Sequence, residues 1–74
     1  MFNASGENIP ETAFLALMDE IIQSIREAGY EPYDQLYGYI TKGKEEYITR
    51  SGDAREKIKK LNWLQLKKYV EKMK

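Results

Sequence analysis

Two side chains that often carry out enzymatic and metal chemistry, cysteine and histidine, are missing from this 74-residue sequence. Without them the chain cannot assemble a Ser-His-Asp or Cys-His catalytic group, a disulfide or an ordinary structural zinc site. Its five glycines are scattered singly, so there is no glycine-rich phosphate loop. Paired carboxylates could exchange protons, but a helical domain of this size has little room for both a core and a large pocket. We therefore predict a protein that is not an enzyme and uses no cofactor.

The elements that must position any functional residue are predicted to be helices. Asn8 with Glu11 three residues later is typical of a capping box, and the first helix is predicted from Ile9 to Ala28. Gly29 follows at the place where a helix-ending glycine belongs. The apolar residues of this helix form one wide stripe: Phe14, Leu15, Leu17, Met18, Ile21, Ile22 and Ile25.

The second helix is predicted to run from Pro32 to Lys42 and to end at Gly43. Proline suits the first helical position because the N–H that it lacks would be unpaired there. Gly38, in the middle of this helix, costs roughly 1 kcal/mol relative to alanine. A glycine at that position indicates a close approach by another helix.

A connector over residues 44–52 precedes the third helix. Asp53 and Glu56 have the spacing of a capping box, which predicts a helix from Ala54 to Leu61. The side chains expected to anchor the connector to the core are Tyr47 and Ile48.

The fourth helix is predicted to follow Asn62, which with Gln65 repeats the capping-box spacing. Trp63 is expected at the junction between the last two helices. The apolar stripe of the fourth helix consists of Leu66, Val70 and Met73.

The predicted fold class is all-α, a small compact bundle of about four helices. Residues 1–8 are expected to form a flexible arm and residues 9–74 a single helical domain. The stripe on the first helix covers an arc of roughly 160°, wider than the roughly 100° that ordinary packing needs. A homodimer would cover the surplus, and the alternative is that the three shorter helices cover it within one chain.

Charge is balanced overall but divided along the chain. Residues 1–37 hold one basic and seven acidic residues, whereas residues 38–74 hold eleven basic and five acidic ones. The favoured interpretation is that the two halves attract each other, within one protomer or across a dimer.

The alternative is a nucleic-acid-binding module, in which two basic helices meeting at Leu61 and Asn62 would form a helix-turn-helix. Against this, the isoelectric point is about 6.3, and such domains usually lie above about 9. The basic half is also rich in lysine, whereas base recognition favours Arg, Asn and Gln.

The N-terminal residues have neither a basic start nor an apolar run of the kind that directs export. The longest strongly apolar stretch, from Ala13 to Met18, is far shorter than the roughly 20 residues of a membrane span. We therefore expect no membrane insertion and a cytoplasmic location.

From Gly29 onward the spacing of several residues is distinctive. They follow the pattern GY-x-P-x-x-Q-x-x-GY, then G-x-x-x-Y, then AR-x-x-I. The residues are Gly29, Tyr30, Pro32, Gln35, Gly38, Tyr39, Gly43, Tyr47, Ala54, Arg55 and Ile58. This set resembles the IreB-like regulatory phosphoprotein family of Gram-positive bacteria.

The resemblance implies a helical homodimer without enzymatic activity. It also implies a substrate of a transmembrane Ser/Thr kinase that senses the cell wall, opposed by a cognate phosphatase. In this family the system is coupled to envelope stress and to resistance to cell-wall antibiotics. A homodimer that binds protein partners without any phosphorylation is the simpler alternative.

The phosphoacceptors of the family are threonines in a longer N-terminal arm, and residues 1–8 of this sequence contain none. The hydroxyls that remain are Ser5, in the predicted arm, and Thr12, in the first turn of the first helix. A phosphate on Ser5 would add about −1.5 to −2 charges, able to dock on a helix N-terminus or on the basic half. The alternatives are an ordinary solvated arm residue and an ordinary first-turn residue.

Most of the residues that carry the resemblance also have structural explanations. Gly29 and Gly43 suit helix ends and Pro32 a helix start, and the tyrosines suit a core or an interface. Arg55 is different, because a cation in the first turn of a helix opposes the helix dipole. It is expected to pair with an acidic residue of the first helix or of a partner chain, or to receive a phosphate.

Overall fold

A computed structural model describes residues 9–73, and within that range the chain forms α-helices and two short 3₁₀ turns, with no strand. This confirms the all-α prediction of about four helices. The proposed arm, residues 1–8, lies outside the described residues. In chain order the elements are α1 (Glu11–Glu27), α2 (Pro32–Lys42), the 3₁₀ turns Glu45–Tyr47 and Ser51–Asp53, α3 (Ala54–Lys59) and α4 (Trp63–Met73).

The core forms around one face of α1, which packs against α3, α2 and the turn Ser51–Asp53, while α2 also packs against α4. The spacing of the buried α1 residues follows the helical period, as the sequence predicts. The buried apolar side chains are Phe14, Met18, Ile21, Ile25, Leu36, Tyr39, Ile48, Ala54, Ile58, Leu61, Leu66 and Val70.

The two ends of α1 differ in how well the sequence predicted them. The helix begins at Glu11, two residues later than predicted, and its cap is Pro10, without a side-chain hydrogen bond. Asn8, the predicted cap, lies outside the described residues. The predicted end is confirmed, because Gly29 has a φ of 91°. The Gly29 and Tyr30 N–H groups donate to the carbonyls of Arg26 and Ile25 at 2.9 and 3.1 Å, which is a Schellman motif.

Helix α2 has the predicted bounds, from Pro32 to Lys42. Its first turn is capped by the Glu31 carboxylate, and Gly43 ends it with a left-handed φ of 72°. The close approach at Gly38 is real, but the neighbour is a side chain rather than a helix. A methyl group on Gly38 would lie 2.8 Å from Cδ1 of Tyr47, so the glycine makes room for that ring.

The predicted capping box of α3 is wrong. Asp53 has a left-handed φ of 60° and makes no side-chain hydrogen bond to the helix. The cause is tertiary, because the preceding Gly52 also has a positive φ, 59°, and its Cα faces Ser24 of α1. A methyl group on Gly52 would lie 3.0 Å from Ser24 Cβ and closer still to the hydroxyl. Helix α3 ends at Lys59, two residues before the predicted end.

The predicted cap of α4 is half right. Asn62 Oδ1 accepts hydrogen bonds from the N–H groups of Leu64 and Gln65 at 3.0 and 3.1 Å, so Asn62 caps the helix. A capping box also requires the Gln65 side chain to bond to the backbone N–H of Asn62, and this hydrogen bond is not formed. The Gln65 side chain binds Ile9 instead.

Replacing Gly52 by alanine tests the packing of the connector on α1. Gly52 and Gly43 share a left-handed backbone, but only Gly52 faces a neighbour, since nothing lies within 4 Å of a methyl group on Gly43. We expect Gly43→Ala to lower the free energy of unfolding by about 1–2 kcal/mol and Gly52→Ala by about 2 kcal/mol more. Urea unfolding followed by far-ultraviolet circular dichroism measures both. Equal losses would contradict the close packing against Ser24.

Candidate docking site

Three of the residues that carry the resemblance hold the connector in place. Gln35 Oε1 accepts a hydrogen bond from the Thr49 N–H at 2.8 Å. Arg55 Nε donates to the Ile48 carbonyl oxygen at 3.0 Å. With the Tyr47 ring packed on Gly38, α2 and α3 fix the connector from both sides, and its Ile48 side chain is fully buried.

Other residues of this set belong to the core. Ala54 and Ile58 are buried, and Tyr39 packs on Trp63 with ring centroids 5.3 Å apart. Burial, and secondarily the nearby Glu45 carboxylate, raise the pKa of the Tyr39 phenol above its usual value. A phenol that stays protonated at neutral pH suits packing and not nucleophilic chemistry. Tyr30, by contrast, is 55% exposed.

One prediction paired Arg55 with an acidic residue of α1. No such ion pair occurs within residues 9–73. The Arg55 guanidinium binds the Ile48 carbonyl and borders a small pocket of about 220 Å³. Arg50 also lines this pocket, together with three carboxylates, those of Glu45, Asp53 and Glu56. A phosphate placed there would be repelled by the carboxylates, so this pocket is a poor phosphate receptor.

Among residues 9–73, one ion pair joins the acidic and basic halves of the chain. Lys57 Nζ of α3 lies 3.1 Å from Glu20 Oε1 of α1. Lys59 instead contacts carboxylates of its own half, those of Glu45 and Glu56, and the hydrogen bond from its ammonium group to Glu45 raises the pKa of Lys59. These largely exposed pairs contribute little to stability, so attraction between the two halves is a minor part of what holds the fold.

The N-terminal end of the described chain is clamped to α4. The Ile9 N–H donates to Gln65 Oε1 at 3.2 Å, and Gln65 Nε2 donates to the Ile9 carbonyl oxygen at 3.0 Å. One side-chain amide thus satisfies both backbone groups of a single residue. No local pattern in the sequence signals this contact, because the two residues are 56 positions apart.

An open groove begins at this clamp. It has a volume of about 610 Å³ and lies between the first turns of α1 and the outer face of α4. Apolar side chains supply much of its lining: Phe14, Leu15, Tyr69 and Met73. Phe14 and Tyr69 meet edge to face, with ring centroids 5.8 Å apart. Leu15 remains 40% exposed, so the groove presents apolar surface to solvent.

The charged residues at the groove are Lys68 and Lys72 of α4 and Glu11 of α1. The two lysines are four residues apart and therefore neighbours on one helix face. Within residues 9–73 neither has an ion-pair partner. The groove thus combines an apolar lining with a net positive rim.

The two candidate phosphoacceptors have different positions. Ser5 lies outside the described residues, four positions before the clamped Ile9. Thr12 is the second residue of α1. Its side chain is exposed and its backbone is helical.

Two further features of the described residues bear on function. Residues 9–73 contain no cluster of three or more candidate metal ligands, and none of the helices in that range has the length and apolar character needed to cross a bilayer. The helix-turn-helix alternative gains no support, since α3 has only six residues.

Replacing Gln65 by leucine tests the clamp. The variant keeps similar bulk but leaves both Ile9 backbone groups without their partner, so we expect a loss of about 1–3 kcal/mol of stability and faster hydrogen exchange at the Ile9 amide. Gln23→Leu is the matched control, because Gln23 is exposed and binds only Glu27. An unchanged exchange rate at Ile9 in Gln65→Leu would show that the clamp does not hold the segment.

The sequence of this chain is similar to those of known proteins. The sequence profile of the family described as IreB regulatory phosphoprotein matches residues 1–72. A UPF0297 protein of Acetivibrio thermocellus is 38% identical over 61 residues, which are 82% of this chain and 66% of that protein. The chain thus spans just under two thirds of the length of this relative. No solved structure matches the chain. The match over nearly the whole sequence shows that the chain belongs to the IreB regulatory phosphoprotein family.

Proposed function

We propose that this protein is a non-enzymatic cytoplasmic regulator, controlled by phosphorylation and acting through protein–protein binding as a homodimer. Membership of a regulatory phosphoprotein family supports the general function. The sequence resemblance supports the finer one, in which a cell-wall-sensing Ser/Thr kinase adds the phosphate and a cognate phosphatase removes it. The kinase would transfer the terminal phosphoryl group of ATP to a serine or threonine oxygen, releasing ADP and the hydroxyl proton.

The clamp between Ile9 and Gln65 is the observation that carries this proposal. It holds Ile9, the first described residue, against α4, two positions before α1 begins. Ser5 precedes the clamped Ile9 by four positions in the sequence, before α1 begins, so a kinase would not need to open α1 to engage it. Modification of Thr12 would require the first turn of α1 to unwind before a kinase could bind it as an extended segment. We therefore favour Ser5 over Thr12 as the phosphoacceptor.

Exposed apolar side chains support the dimer. A single protomer buries Phe14, Met18, Ile21 and Ile25 of α1, so the shorter helices cover much of the stripe. Large apolar side chains nevertheless remain exposed on α2 and the residues before it (Tyr30, 55%; Tyr37, 50%) and on α4 (Leu64, 59%). Covering such residues with a second copy is a common way to stabilise a chain of this size.

Phosphopeptide mass spectrometry tests the phosphorylation. We expect protein isolated from its own host to carry phosphate on Ser5, in an amount that changes with cell-wall stress. Ser5→Ala should abolish the signal and Thr12→Ala should retain it, because only Ser5 lies before the clamp. A mass without phosphate in every condition, or a phosphate elsewhere in the chain, would overturn the assignment.

Sedimentation equilibrium tests the dimer. We expect a mass of twice the protomer's 8.7 kDa at micromolar concentration, and a shift toward the protomer mass when Tyr37 and Leu64 are both replaced by glutamate. Lys44→Glu, at an exposed polar position of the connector, is the control. A protomer mass at all concentrations would contradict the dimer and leave the phosphorylation proposal standing.

A further inference from the structure

The groove and the clamp occupy the same end of the molecule. Gln65 fixes Ile9 and also lines the groove. Residues 1–8 therefore start at the edge of an open apolar surface whose rim carries Lys68 and Lys72. The segment that starts there includes Ser5 and two large apolar side chains, those of Met1 and Phe2.

The distances allow Ser5 to reach the lysines. Four residues of extended chain span at most about 13–14 Å, and this is the reach of Ser5 from the clamped Ile9. Along α4, at about 1.5 Å per residue, Lys68 lies about 4.5 Å and Lys72 about 10.5 Å beyond Gln65. Both ammonium groups are within reach of a phosphate on Ser5 without any opening of the clamp.

Charge makes the contact depend on phosphorylation. Residues 1–8 contain one acidic side chain, Glu7, and no basic one, and the groove rim adds Glu11 to the two lysines. The unmodified segment therefore has little electrostatic reason to settle there. A phosphate adds about −1.5 to −2 charges and three acceptor oxygens, which two neighbouring ammonium groups can bind.

The other basic sites are less suitable. Arg50 and Arg55 border a pocket that also holds three carboxylates. Lys57 and Lys59 are already paired with acidic side chains. Lys68 and Lys72 are neighbours on one face of α4 and line the apolar groove. Within residues 9–73 neither has an acidic partner.

We propose that phosphorylated Ser5 docks residues 1–8 into the groove of the same chain, with Lys68 and Lys72 binding the phosphate and the segment covering Leu15. The inference rests on the proposed function for its modified residue. It adds the receptor site on the folded body, and with it a direct effect of the phosphate: an exposed apolar groove becomes covered.

The test installs phosphoserine at position 5 of the full chain by synthesis or by genetic encoding, so that no kinase is needed. Phosphorus NMR follows the second ionisation of the phosphate, whose ordinary pKa is about 6. Two ammonium groups should lower that pKa by about half a unit or more relative to the free peptide of residues 1–8. The backbone amides of Leu15, Lys68 and Lys72 should shift in nitrogen–proton spectra relative to the unmodified protein.

The double variant Lys68→Gln, Lys72→Gln should abolish both effects. The matched control is Lys60→Gln, Lys67→Gln, which removes two exposed lysines that do not line the groove and should leave both effects intact. A peptide-like pKa, or docking that survives the loss of Lys68 and Lys72, would overturn the proposal.

A second copy as receptor is tested by mixing. Unlabelled phosphorylated protein is added to nitrogen-labelled unmodified protein, and shifts at Leu15 and Lys72 of the labelled chain would overturn docking within one chain. The outcome of these binding measurements does not depend on whether a kinase phosphorylates Ser5 in the host. Failure to find phosphate in the host would refute the proposed regulation without affecting this binding measurement, and absence of docking would leave the regulation standing without this receptor.

Discussion

Burial of the apolar face of α1 is the constraint on which the rest of the structure depends. The chain has no cysteine to form a disulfide and no histidine to bind zinc, so packing must hold it. Met18, Ile21 and Ile25 of α1 are fully buried, each contributing about 1.5–3 kcal/mol. The segments that cover them, α3 and the turn Ser51–Asp53, have six and three residues and are too short to be stable alone. Their backbone is therefore fixed by what they must fit, as the contact between Gly52 and Ser24 shows.

This dependence explains which features the sequence predicted. The Gly29 helix end, the bounds of α2 and the Asn62 cap are determined by residues within one or two turns, so local rules suffice. The Asp53 capping box failed because Gly52 packs against α1 and carries Asp53 into a left-handed conformation. The Gln65 capping box failed because the amide has a better partner in Ile9, far away in the sequence. In both cases a tertiary contact prevailed over a local preference.

The residues that carry the family resemblance build the scaffold, and the groove is made of others. Gln35, Gly38 and Arg55 hold the connector, and Tyr39, Ala54 and Ile58 lie in the core. A motif of this kind identifies the fold because most of its residues make a specific contact within it, the exposed Tyr30 being the exception. The groove could not be predicted from the sequence, since it forms where the first turns of α1 meet α4 and depends on side chains more than 50 positions apart. In the sequence its lysines are two of many in the basic half, and only the structure shows that Lys68 and Lys72 share a groove with Gln65, the partner of Ile9.

The central claim is that the phosphorylated N-terminal segment occupies this groove, and a distance measurement tests it most directly. Because the chain has no cysteine, Asn3→Cys gives a single site for a nitroxide label in protein that carries phosphoserine at position 5. The account predicts paramagnetic broadening of the Leu15, Lys68 and Lys72 amides that is several-fold stronger with the phosphate than without it. Broadening that is the same with and without phosphate, or that misses these residues, would contradict it.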